Sequence, residues 1–165
     1  MKIAKALKLK NRIAGEVSRL KGVIIAHNSR VSDQEQVYDV SETYKKLFKR
    51  IEDLVNIKTA IACANASSRI LDASVLQHTA FWNVFMIAET KGLVETLRGM
   101  STKKGTFNES NYGMSSQPVT YVATYGQKDV DDTIALMEQH IDQMQEKLDE
   151  HNATFDCQSI DGITI

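Results

Sequence analysis

The side chains that could do chemistry are few and dispersed. His27, His78, His140 and His151 are the four histidines. None stands at the HxxxH or HExxH spacing that sets two imidazoles on one helix face against a zinc ion. His27 and His151 fall where helices are expected to end, and an imidazolium there meets the negative end of the helix dipole. His78 lies in an apolar stretch and reads as a core residue, and His140 reads as solvated beside an apolar stripe. Cys63 and Cys157 have no CxxC spacing, so they read as two reduced thiols rather than a disulfide framework. Glu138, Asp142, Glu146 and Asp149 recur at helical spacing. Paired catalytic carboxylates need a cleft with two unlike environments, and a di-metal bundle site needs Glu and His pointing inward. The inward positions of this stretch are Val, Ile, Met and Leu, so the row is a solvated face. GxGxxG, GxxxxGK[ST] and GxSxG are all absent. Ser67-Ser68 and Ser115-Ser116 have no evident base. The residues therefore predict no enzyme, no catalytic residue, no bound metal and no cofactor.

The elements that hold these residues are legible from hydrophobic period. The chain has 165 residues and one proline, Pro118, and it is sparse in glycine, which favours long helices in one domain. A first helix is expected from about Lys2 to His27, with Ile3, Leu7, Ile13, Val17, Leu20 and Ile24 on one face and Asn28 at its end. Ser29 to Val40 reads as a connection. A second helix, N-capped by Ser41 and ending near Asn65, carries Tyr44, Leu47, Ile51, Leu54 and Ile61 at alternating threes and fours. A third, capped by Asp72 and ending near Met100, is apolar on nearly every side of its first half, which predicts burial of Leu76, Trp82 and Phe85. The fourth, Asp129 to His151, has the cleanest heptad: Val130, Ile134, Met137, Ile141, Met144 and Leu148. Between the last two, Ser101 to Lys128 loses helical period, and Val119 to Tyr125 is rich in strand formers. Ala153 to Ile165 reads as a tail. The expected fold is all-α: a four-helix antiparallel bundle with a short β-like arm between helices three and four.

Charge is unevenly placed although the net is −1. Lys2, Lys5, Lys8, Lys10, Arg12, Arg19 and Lys21 make the beginning basic, whereas Asp129, Asp131, Asp132, Glu138, Asp142, Glu146, Asp149 and Glu150 make the fourth helix acidic. The basic face has three candidate partners: the acidic helix, within one subunit or across an interface; an anionic membrane surface; or nucleic acid. The slightly acidic whole and the absence of aromatic residues from the first helix count against nucleic acid. Lys5, Lys8 and Arg12 are thus expected to meet Asp142, Glu146 and Asp149. Tyr121 and Tyr125 in the arm need somewhere to be buried and are expected to anchor it on a neighbouring subunit, the alternative being that the arm folds over its own bundle. Asn-x-Ser/Thr triplets start at Asn65, Asn108 and Asn152, but no secretory signal precedes them, and the expected location is the cytoplasm.

Three stretches resemble a known family. Met1-Lys2-Ile3-Ala4-Lys5-Ala6-Leu7, Asn65-Ala66-Ser67 and Leu148 to Thr154 are similar to the septicolysin-like family of small bacterial proteins, as is the order of elements. The chain departs from that pattern at Ser101 to Gln117 and after Asp156. The resemblance implies no catalytic residues; the family's name implies a cytolysin, an association that falls on no residue here. Together these readings predict a non-enzymatic structural protein, a helical protomer of a homo-oligomer, with a membrane-active or pore-forming protein as the alternative.

Overall fold

The computed structural model describes residues 3–67, 79–109 and 117–154. They are mostly helical, with one small sheet, in the order α1 (Ile3–His27), β1 (Ser29–Val31), α2 (Val40–Ser67), α3 (Ala80–Arg98), β2 (Gly105–Glu109), β3 (Gln117–Ala123) and α4 (Gln127–Thr154).

The helix starts have identifiable caps. Asp39, not Ser41, caps α2: its carboxylate accepts from the Glu42 N–H at 3.0 Å and its carbonyl accepts from the Thr43 N–H at 2.9 Å. Helix α3 starts behind Thr79, whose hydroxyl accepts from the Trp82 N–H at 3.2 Å. The start expected at Asp72 lies, with Leu76, outside the described residues. Thr79 is extended (φ −93°, ψ 148°), so the helical backbone does not continue through it. Helix α4 starts before Asp129, whose carboxylate reaches back to the Gly126 N–H at 2.9 Å.

The helices pack in series. Helix α1 lies against α2, α2 against α3 and α3 against α4, and α1 also reaches α3 at a few positions. An ion pair spans each junction: Glu16–Arg50 at 2.9 Å, Lys58–Glu89 at 2.6 Å and Arg98–Glu138 at 2.6 Å. The main core joins Ile13, Val17, Leu20 and Ile24 of α1 to Leu47, Ile51, Leu54 and Val55 of α2, with Leu93, Val94 and Leu97 of α3 and Val130 and Met137 of α4. A second cluster joins Ile87 of α3 to Ile141, Met144 and Leu148. Burying a side chain as fully as Leu47 or Ile24, both 0% exposed, contributes roughly 1.5–3 kcal/mol.

The segment between the last two helices forms a sheet rather than a lone arm. Its strands pair antiparallel in the order β1-β3-β2, so the stretch after α1, expected as a plain connection, supplies an edge strand. Val31 and Gly105 flank Tyr121 from opposite sides. Gly105 has φ +106°, a conformation that residues with a Cβ rarely adopt. Pro118 falls where β3 pairs with β2 alone, so its missing N–H breaks no bond to β1.

Candidate functional site

Three surfaces on this frame hold residues that could engage a partner: the basic start of α1, the acidic side of α4, and a groove between α2, α3 and α4.

Lys5, Lys8 and Arg12 are exposed on α1 around the half-buried Leu9. None has an ion-pair partner among the described residues. Ile3 and Leu7, expected on the buried stripe, are 43% and 41% exposed, because burial on α1 begins in earnest at Ile13 and only Ala6 precedes it.

Asp142, Glu146 and Asp149 are exposed on α4. Their neighbour Glu138 is held by Arg98 of α3, and the Asp149 carboxylate accepts from Gln145 Nε2 at 2.9 Å. The basic and acidic rows do not meet within the chain, since α1 and α4 do not pack side by side. The buried stripe of α1 is spent on α2 and that of α4 on α3, which leaves the two as outer members of the series.

Tyr121 and Tyr125 are each engaged by their own chain. The Tyr121 hydroxyl donates to Glu109 Oε1 at 2.9 Å, its ring meets Phe107 edge-on at 6.2 Å, and the Lys103 ammonium stands 3.9 Å from the ring centroid. Lys103 also pairs directly with Glu109, and that contact, followed by the one from Tyr121, holds the Glu109 carboxyl below its usual range. Tyr125 turns inward, its ring 5.7 Å from that of Tyr44 at the margin of the main core. Tyr121 and Tyr125 therefore pack within their own chain, against a sheet and a core that period counting does not reveal.

The groove has no counterpart in the sequence reading. Tyr44, Phe48 and Ile51 of α2, Trp82, Met86 and Leu93 of α3, and Leu136 and Met137 of α4 line a hollow of about 670 Å³. Lys49, Glu52 and His140 stand among them. Trp82 and Phe85, expected to be buried, are half-buried, while Phe81 and Val84 are 42% and 49% exposed. The first half of α3 is apolar all round, yet α2 and α4 cover only part of it. The Trp82 Nε1–H still finds Asn56 Oδ1 at 3.2 Å. The signal that points to the groove is Phe48, an apolar residue beside Leu47 that widens the α2 stripe between Tyr44 and Ile51.

The histidines and cysteines lie apart where the structure describes them. His27 packs against Tyr38 at a tilt of 50°, ring centroids 4.7 Å apart, His140 is exposed, His78 and Cys157 lie outside the described residues, and Cys63 is buried. Among the described residues no three His, Cys, Asp or Glu side chains are grouped to hold a metal ion, and no helix is long and apolar enough to cross a membrane. No protein-family model matches the chain, and no curated protein or solved structure is significantly similar to it.

Proposed function

We propose that this protein is a non-enzymatic structural protomer, a helical bundle that associates with copies of itself. The observation that carries the reading is the position of the two charged rows. Lys5, Lys8 and Arg12 on one outer helix, and Asp142, Glu146 and Asp149 on the other, are exposed and do not meet within the chain. Opposite charges on the two outer helices let the α1 row of one copy face the α4 row of the next, a head-to-tail contact that builds rings or filaments. Each exposed pair contributes only about 0.2–1 kcal/mol, so the set acts together and is weakened by salt.

Sedimentation across a salt series tests the reading. The particle is expected to shrink as salt rises. Reversing Lys5, Lys8 and Arg12 to Glu weakens association at low salt, and reversing Asp142, Glu146 and Asp149 to Lys in the same chain restores it. A double reversal that restores nothing assigns the basic row to another partner.

That other partner is an anionic membrane surface in the second reading, in which the protein is membrane-active. It is favoured by Ile3 and Leu7, exposed beside the lysines of α1, which give the start of this helix an apolar edge as well as charge. Leakage from anionic but not zwitterionic vesicles, abolished by the same three reversals in α1, would support it.

A further inference from the structure

The groove combines an apolar lining, apolar projections and unpaired charges of both signs. Phe48 and Leu136 rise from its two walls at 45% and 67% exposure, above the half-buried Trp82 and Met86. A soluble chain seldom leaves so large an apolar patch open unless something covers it. The same face offers both knobs, Phe48 and Leu136, and a hollow of about 670 Å³ to receive them. Lys49 and Glu52 stand three residues apart on the α2 wall, both exposed, and neither is in an ion pair among the described residues.

We propose that a second copy of the chain docks in this groove across a twofold axis, with the two α2 helices antiparallel. Leu136 and Phe48 of each copy then enter the other's groove, and Lys49 of each faces Glu52 of the other. An interface between identical surfaces requires that if residue i meets j, then j meets i. Opposite charges about one turn apart on one helix satisfy that condition when two such helices run antiparallel, and parallel helices in the same register would set like charges together. The apolar contact supplies most of the affinity, because exposed ion pairs are weak, and the charges set the register. The inference rests on the self-association reading but uses a different surface, and salt separates the two. Charge-driven association through the outer helices is screened at about 0.5 M salt, whereas apolar contact survives it.

Analytical ultracentrifugation of the full chain at about 0.5 M salt is the test. The wild type is expected to be a dimer. Leu136→Asp, at a position exposed in the single chain, should give a monomer with unchanged helical circular dichroism, and Phe48→Asp should do the same. At about 0.15 M salt, where charges still act, Lys49→Glu should weaken the dimer several-fold and Lys49→Glu with Glu52→Lys should restore it. A wild-type chain monomeric at high salt overturns the inference even if it associates at low salt, a result that leaves the outer-helix contact standing. A dimer that withstands both aspartate substitutions overturns it as well, and a charge swap that restores nothing overturns the antiparallel arrangement.

Discussion

Asn28 and Tyr125, 97 positions apart, hold each other through two reciprocal hydrogen bonds: the Tyr125 N–H donates to Asn28 Oδ1 at 2.9 Å, and Asn28 Nδ2 donates to the Tyr125 carbonyl at 3.0 Å. The side-chain amide thus pairs with the Tyr125 backbone as a neighbouring strand would. Its second N–H donates to the Ser101 carbonyl at 2.8 Å, and the Asn28 carbonyl accepts from the Thr124 N–H at 2.9 Å. One residue, 1% exposed, ties the end of α1 to the exit of α3 and the entry of α4.

Asn28→Ala is expected to cost about 3 kcal/mol, since three side-chain hydrogen bonds near 1 kcal/mol each are lost and buried partners are stranded. Asn28→Asp should cost at least as much at neutral pH, because a carboxylate would face the carbonyls of Ser101 and Tyr125. Urea melts measure both, and a loss below about 1 kcal/mol for the alanine variant would mean that water takes over the partners.

Tyr44 presents the opposite case, a buried hydroxyl without a hydrogen-bond partner among the described residues. Tyr44→Phe is therefore expected to be neutral or to stabilise by up to about 1 kcal/mol, where removing a bonded hydroxyl would destabilise. Burial, and secondarily Tyr125, pushes the Tyr44 phenol up to about 12 from its ordinary 10.0. A raised folded value means that the unfolded chain gives up the proton first. The contribution to stability is intact below pH 10 and declines as pH rises from about 10 towards 12. Denaturant melts through that window should show a shallower alkaline decline in Tyr44→Phe than in the wild type.

Glu109 predicts a dependence on the acid side. Its carboxyl is held below the ordinary 4.5 by the Lys103 and Tyr121 contacts. A depressed folded value contributes stability above the unfolded value, and that contribution is lost as pH falls through the folded one. Glu109→Gln should lower neutral-pH stability slightly and flatten the acid limb by the same small amount, because the side chain is more than a third exposed and its contacts are screened. Carboxyl-carbon NMR titration reads the group directly, and a Glu109 midpoint at or above 4.5 would remove the cluster from the account.

The hydrophobic stripes make a paired prediction. Leu47 is 0% exposed and Ile3 is 43% exposed, although period alone assigns both to a buried face. Leu47→Ala is expected to cost about 2–5 kcal/mol as a large-to-small change in the core. Ile3→Ala should stay within about 0.5 kcal/mol, as a surface change does. Equal losses in thermal or urea melts would place the start of α1 in the core.

Local pattern determined that the chain is mostly helical and, on α4, which stripe is buried. All six heptad positions of α4 are at least half-buried, because a period near 3.6 leaves one face to hide whatever the neighbour is. The same pattern placed the irregular stretch and its strand-forming end. What the pattern could not determine was partnership. That β3 would take Ser29–Val31 as well as Gly105–Glu109 depends on a contact between distant parts of the chain, and a three-residue strand carries no period of its own. Asn28 reads locally as a helix end, and its three side-chain bonds to the other end of the chain exist only once α1, α3 and α4 converge. The separation of the basic and acidic rows, and the groove beside Trp82, arise from which helices pack against which. That choice rests on the shapes of facing side chains, a property of surfaces in contact rather than of any one segment.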